Sequence, residues 1–135
     1  MYPHERSLIK QLAGKPFAVI GVNSDPDLEK LREIVKKKKL TWRSFQNEEG
    51  ADGKISEEWG IKGWPTMFVI DAKGVIRWSG HGGDFDSVIE EALGEMGHEV
   101  SIKSIADIKE EAEAKEAAEA DEADAEATDA DDDNN

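Results

Sequence analysis

The pattern of hydrophobic and polar positions predicts alternating helices and strands over most of the chain. Residues 17–22 form a short, continuously apolar run, which is typical of a strand buried on both faces. Residues 41–45 alternate between polar and apolar or aromatic side chains, which favours a short edge strand. Two further apolar runs, 66–71 and 75–80, flank a turn that ends in Gly74, the signature of a β-hairpin.

Apolar residues at helical spacing predict helices between and beside these strands. Their ends are marked by residues that commonly begin or stop helices. The predicted helices are residues 3–13 ended by Gly14, a segment capped by Ser24 or Asp25 with Pro26 in its first turn, a short turn at 56–59, and a helix begun by Asp84 or Asp86 with Phe85, Val88, Ile89 and Leu93 on one face. The order is α-β-α-β-α-β-β-α.

Charge divides the chain into two parts. Residues 97–135 carry 15 acidic and 3 basic side chains, so they account for −12 of the net charge of −14. Every Trp, Phe and Tyr lies before residue 86, so a packed core must form there. We therefore predict a partial α/β domain at residues 1–96 and an acidic, Ala-rich low-complexity tail at 97–135. Ala and Glu favour transient helix near residues 103–118, whereas the Asp-rich end is expected to be disordered.

Composition excludes several functional classes. The body of the chain is nearly neutral and the tail is acidic, so the basic surface that nucleic-acid binding requires is lacking. No apolar run approaches the roughly 20 residues that span a bilayer, and the first residues contain no apolar stretch of signal-peptide length. As encoded, the chain is expected to be cytoplasmic, whereas a longer N-terminus with a signal would make it extracytoplasmic. It has no cysteine, which excludes disulfides and thiolate nucleophiles.

The most specific motif is Trp59-Gly60-Ile61-Lys62-Gly63-Trp64-Pro65-Thr66-Met67-Phe68-Val69-Ile70-Asp71, followed by Lys73-Gly74-Val75-Ile76. It resembles the thioredoxin superfamily segment in which a cis-proline precedes a strand and a hairpin. The nearest variety is the redoxin group, which comprises the alkyl hydroperoxide reductase/thiol-specific antioxidant and TlpA-like thiol–disulfide oxidoreductases. Residues 20–25 and 2–5 fit the same family. The resemblance covers about residues 2–96 and implies a thioredoxin-like fold, three-layered α/β/α with a mixed sheet.

The resemblance implies a binding surface at Trp64, Pro65 and Thr66, which we call the ledge. In the family, backbone groups of the residue before the cis-proline pair with an extended peptide or substrate disulfide, a form of β-augmentation. Here that residue is Trp64. An extended peptide or protein segment is therefore the expected partner, and no cofactor is implied. The alternative is that Gly63-Trp64-Pro65 is only a turn leading into a strand.

The sequence departs from the family at the catalytic centre. The family's Cys-x-x-Cys lies at the N-terminus of the first helix, where the helix dipole and exposed amides lower a thiol pKa. The sequence begins after that position and also lacks the strand that leads into the motif. Strands 17–22 and 66–71 would both pair with that strand, so each should expose an unpaired edge or pair with the other. We therefore expect an N-terminally truncated domain without catalytic residues.

Three interpretations of function remain open at this level. The first is a redoxin-family domain that has no redox activity as this cysteine-free chain; its complete form would be a thiol–disulfide oxidoreductase or a thiol peroxidase. The second is a non-enzymatic binding module, in which the ledge holds an extended segment while the acidic tail solubilises the complex or meets a basic partner. The third is a fragment with no function of its own.

Other candidate sites are weaker. His4, His81 and His98 are scattered over three segments without the spacing of a metal site, so each is expected to be solvent-exposed. Residues 131–133 are all Asp, but they lack the loop of an EF-hand, and no metal is expected there. Residues 80–83 lack the Lys-Ser/Thr of a phosphate-binding loop and predict a flexible connection.

Overall fold

The computed structural model describes residues 2–48 and 50–128, with the side chains of the last helix as far as Glu119. The predicted order of elements is confirmed, with one additional 3-10 turn at Gly50–Asp52 and a final helix. The helices and strands are α1 (Tyr2–Gln11), β1 (Ile20–Asn23), α2 (Leu28–Lys38), β2 (Arg43–Gln46), α3 (Lys54–Glu58), β3 (Met67–Ile70), β4 (Ile76–Gly80), α4 (Asp86–Glu95) and α5 (Ile105–Thr128). The chain divides into two compact units, with the boundary between Ile102 and Lys103.

The hydrophobic core of the first unit lies between α1, α4 and the β3–β4 hairpin. Its buried side chains are Leu8, Leu12, Phe85, Ile89 and Leu93. Half-buried apolar residues pack around them, namely Phe17, Met67, Val69, Trp78, Val100 and Ile102. Because Val100 and Ile102 cover this core, the first unit extends beyond residue 96, where the sequence pattern alone placed its end.

The four strands form two separate sheets within the described residues. β1 pairs in parallel with β2, and Val22 lies opposite Phe45. β3 pairs antiparallel with β4, and Met67 lies opposite Gly80. The second edge of β1 and the second edge of β3 therefore have no strand partner in this part of the chain. Of the two expectations for these edges, the unpaired arrangement is confirmed, and direct pairing between the two strands is wrong.

β1 differs from the prediction in its position and its burial. It covers Ile20–Asn23 rather than residues 17–22. The side chains of Ile20 and Val22 are 62% and 49% exposed, although a strand buried on both faces was expected. A continuously apolar strand is buried only where other elements cover both of its faces. In the described structure the face of β1 that carries Ile20 and Val22 is not covered by another element, so these side chains stay accessible to solvent.

The start of α2 also differs from the prediction. Asp27 caps the helix, because its side chain accepts a hydrogen bond from the backbone N–H of Lys30 at 3.0 Å. The expected cap at Ser24 or Asp25 is wrong. The Asp25 side chain instead accepts a hydrogen bond from the Asp27 N–H at 3.0 Å, which stabilises the turn before the helix. Pro26 therefore precedes the helix and does not lie in its first turn.

The second unit contains α5, which is longer than the helix expected near residues 103–118. Its first turn is stabilised by a reciprocal cap: Ser104 Oγ accepts from the Asp107 N–H at 3.1 Å, and the Asp107 carboxylate accepts from the Ser104 N–H at 3.2 Å. Ala and Glu continue the helix because both have high helix propensity. Most of the Asp-rich end, residues 129–135, lies outside the described residues. Neither α5 nor any other described helix has the length and apolar character required to cross a bilayer.

Candidate functional site

The ledge lies in the segment between α3 and β3. The peptide bond between Trp64 and Pro65 is cis. The Trp64 side chain is 53% exposed, whereas Pro65 and Thr66 are half-buried. Neither the backbone N–H nor the carbonyl of Trp64 has a hydrogen-bond partner in the part of the chain that the structure describes. An exposed aromatic ring beside unpaired peptide groups offers both apolar contact and backbone pairing to an extended segment.

A histidine from the loop after β4 completes the surroundings of the ledge. Nδ1 of His81 lies 3.0 Å from the Pro65 carbonyl oxygen and 3.3 Å from Oγ1 of Thr66. The Thr66 hydroxyl donates to the Gly63 carbonyl at 2.6 Å. The imidazole is exposed, as expected, but it is held in place by the ledge. The sequence pattern did not predict this contact.

The register of the hairpin is the signal that could have revealed this contact. Met67 at the start of β3 lies opposite Gly80 at the end of β4. The residues one step further along, Thr66 and His81, are therefore brought side by side. A prediction of the hairpin that included its register would have placed the imidazole beside the ledge.

Trp59 positions the segment that leads from α3 to the ledge. Its indole packs edge-on against the ring of Phe68 in β3, with 5.0 Å between the ring centroids and 70° between the planes. Gly60 follows with a φ of 61°, in the left-handed region that favours glycine. The backbone N–H of Ile61 then donates to the carbonyl of Ser56 at 2.8 Å. The chain is therefore anchored shortly before and shortly after the ledge.

Asn47 connects α3 to the ends of β1 and β2. Its side chain is 1% exposed, and its Nδ2 donates to Oγ of Ser56 and to the Gly50 carbonyl, both at 2.7 Å. Its Oδ1 accepts from the Ile55 N–H at 3.2 Å. Its backbone N–H donates to the Asn23 carbonyl at 2.8 Å. One buried amide thus supports the helix that precedes the ledge, and no local sequence pattern distinguishes it from other polar loop residues.

Charged groups stabilise the hairpin and join it to α4. The Asp71 carboxylate accepts hydrogen bonds from the backbone N–H groups of Val75 and Lys73, both at 2.9 Å. The bond from Val75 contributes most to lowering the pKa of Asp71, and the guanidinium of Arg77 lowers it further. Arg77 donates two hydrogen bonds to Glu95, at 3.0 and 3.1 Å. These bonds raise the pKa of Arg77 and lower that of Glu95.

His4 departs from the expectation that all three histidines are solvent-exposed. It is half-buried, its Nε2 lies 2.8 Å from Oδ1 of Asp86, and its ring packs edge-on against Phe85 at 5.5 Å. The expectation is wrong for His4 because α1 packs against the start of α4, and it is also wrong for His98, which is half-buried. Among the residues that the structure describes, no three His, Cys, Asp or Glu side chains come together as a potential metal site.

The order of the elements and the cis-proline before the hairpin define a protein of the thioredoxin-like class. Residues 3–76, more than half of the chain, match the family model described as thioredoxin-like. The chain therefore belongs to the thioredoxin-like family.

Individual relatives agree with this assignment. The thiol:disulfide interchange protein DsbE of Xylella fastidiosa, from strains 9a5c and Temecula1, is 38% identical over 42 residues, which are 31% of this chain. The match covers only 21% of the length of those relatives. The chain is therefore similar to these thiol:disulfide interchange proteins over one short segment.

A solved structure has the same fold. It is the C-terminal domain of a protein described as a thiol-disulfide oxidoreductase from Bacteroides thetaiotaomicron, with a TM-score of 0.64 and 18% sequence identity. The likeness covers 70% of this chain and 65% of that chain. At this level of identity it shows the thioredoxin-like fold alone.

Proposed function

We propose that this chain is a thioredoxin-like domain that binds extended polypeptide segments at the ledge and performs no thiol chemistry of its own. The observation that supports the binding role is the exposed Trp64 side chain beside its own backbone N–H and carbonyl, both of which are without a hydrogen-bond partner among the described residues. An extended segment satisfies both backbone groups through its main chain, which gives affinity with little dependence on sequence. The indole adds apolar contact area at low conformational cost.

The absence of thiol chemistry follows from composition. Disulfide exchange and peroxide reduction by redoxins both begin with attack by a cysteine thiolate. The chain contains no cysteine, so neither reaction has a nucleophile on it. The ledge alone would bind a substrate segment without acting on it. The chain thus shares the fold and sequence pattern of the family, whereas its cysteine-free composition favours a binding role over a catalytic one.

An insulin reduction assay tests the redox part of the proposal. Precipitation of insulin chains by dithiothreitol is followed with and without the protein, and a thioredoxin that has its Cys-x-x-Cys serves as positive control. We expect the rate with this chain to equal the uncatalysed rate. Acceleration of precipitation by the purified chain would contradict the proposal.

A binding assay tests the peptide-binding part. The probe is fluorescently labelled α-lactalbumin that has been reduced and carboxamidomethylated, which is unfolded and has no free thiol. Trp64→Ala is expected to weaken binding about tenfold, since exposed aromatic residues at such sites contribute more than 1 kcal/mol. Phe45→Ala is the matched control, because it removes an exposed aromatic ring from β2, in the other sheet. Absence of binding, or an equal loss in both variants, would refute the role.

A further inference from the structure

We infer that His81 is a positioning residue of the ledge. Its side chain hydrogen-bonds to the Pro65 carbonyl oxygen, and an incoming segment is thereby directed to the backbone of Trp64. This inference rests on the proposed function. The observation that carries it is the pair of contacts from His81 Nδ1, at 3.0 Å to the Pro65 carbonyl and at 3.3 Å to Thr66 Oγ1.

The hydrogen-bond chemistry of these contacts assigns the proton of the imidazole. The Pro65 carbonyl can only accept a hydrogen bond. The Thr66 hydroxyl has a single proton, which it donates to the Gly63 carbonyl at 2.6 Å, so towards His81 it also acts as an acceptor. Nδ1 of His81 therefore carries a hydrogen and donates to both oxygens. In the neutral ring, Nε2 is then without a proton.

This arrangement determines which peptide groups of residues 63–65 remain open. The carbonyl of Gly63 is engaged by Thr66 and that of Pro65 by His81, and proline has no N–H. Among Gly63, Trp64 and Pro65, the open carbonyl is that of Trp64, whose N–H is also unpaired within the described residues. Within residues 63–65, an extended segment therefore has one residue, Trp64, with which to form a pair of backbone hydrogen bonds. Without the imidazole, the Pro65 carbonyl would compete for the segment's N–H groups.

The backbone of the hairpin fixes the position of His81 in addition to the hydrogen bonds of its side chain. Gly80, the preceding residue, is paired with Met67 in the hairpin, so the backbone brings the imidazole to the ledge. The residues that follow, Gly82 and Gly83, have φ values of 135° and 119°, which turn the chain away towards α4. The histidine is thus the last residue held in line with the hairpin.

Two substitutions distinguish a positioning role from a general structural role. His81→Ala removes the donor. His81→Asn keeps it, because the amide nitrogen of Asn is bonded to Cγ as Nδ1 is in histidine. With the carboxamidomethylated α-lactalbumin probe, His81→Ala should weaken binding about three- to tenfold, the effect of one hydrogen bond, whereas His81→Asn should stay within about twofold of the natural protein. Thermal unfolding of each variant shows whether a loss of binding comes from a loss of folding.

Ring-nitrogen NMR supplies a readout that does not depend on the probe. With the His81 ring of the 15N-labelled chain in its neutral form, we expect a proton on Nδ1 and none on Nε2, with the signals assigned from His81→Ala. Hydrogen exchange at the Trp64 amide should slow when the probe binds.

A protonated Nε2 with a bare Nδ1 would overturn the inference. Equal affinity of His81→Ala and the natural protein would also overturn it while leaving the proposed function intact. Failure of the natural protein to bind the probe would refute both.

Discussion

The indole of Trp59 and the ring of Phe68 form an edge-to-face pair with 5.0 Å between their centroids. Trp59 follows α3, and Phe68 lies in β3, so the contact closes a loop whose middle is the ledge. This aromatic pair therefore joins the two ends of the segment that contains Trp64. This relationship gives the proposed binding site a support whose energy can be measured separately from binding.

A double-mutant cycle measures that support. Trp59→Leu and Phe68→Leu, alone and combined, should show a coupling of about 0.5–1.5 kcal/mol in the free energy of unfolding, because an edge-to-face pair contributes beyond its buried area. Urea denaturation gives the four values. A cycle between Trp59→Leu and Phe45→Leu in β2 is the control and should be additive. Additivity in the first cycle would show that the aromatic contact does not support the ledge.

Asn47 is expected to be among the most sensitive polar positions of the first unit. Asn47→Ala leaves the Ile55 N–H and the Ser56 hydroxyl without their partner in a buried site, which should destabilise the protein by about 1–3 kcal/mol. Chemical denaturation measures the change. Thr41→Ala, at an exposed position shortly before β2, is the control and should change stability by less than about 0.5 kcal/mol. Similar losses in both variants would contradict the central role of this amide.

Asp71 should make stability depend on pH. Its pKa in the folded protein lies below its ordinary value of 3.8, chiefly because the carboxylate accepts a hydrogen bond from Val75. The stabilisation is therefore present above the ordinary pKa and is lost as the pH falls through the lowered pKa of the folded state. Asp71→Asn should unfold at a lower temperature at neutral pH, and its disadvantage should shrink on acidification. Thermal scans at several pH values check this, and parallel curves for the two proteins would rule it out.

Substitution of a buried and of an exposed leucine tests the location of the hydrophobic core. Leu8 is 1% exposed and packs among the helices and the hairpin, whereas Leu28 at the start of α2 is 45% exposed. Leu8→Ala should cost about 2–5 kcal/mol of folding free energy, because it removes buried methyl groups and leaves a cavity. Leu28→Ala should cost less than about 1 kcal/mol. Comparable costs, measured by denaturant unfolding, would show that the core lies elsewhere.

Local features of this protein were predicted well because their signals lie within a few neighbouring residues. The turn ending in Gly74 predicts the hairpin, and the glycine indeed has a φ of 81°. The spacing of Phe85, Ile89 and Leu93 predicts the buried face of α4. In contrast, the cap of α2 was not predicted correctly. Asp27 caps the helix, because the Asp25 carboxylate accepts a hydrogen bond within the preceding turn.

The sequence by itself determined the order of the elements, the hairpin and the cysteine-free composition. These depend on local propensity, periodicity and residue chemistry. Only the tertiary structure decided that β1 and β3 keep edges without a strand partner among the described residues, that Asn47 is buried, and that His81 lies against Pro65. Each of these depends on contacts between residues distant in the sequence. Such contacts arise when hydrogen bonding and apolar burial are satisfied together across elements, and no local pattern in the sequence encodes that outcome.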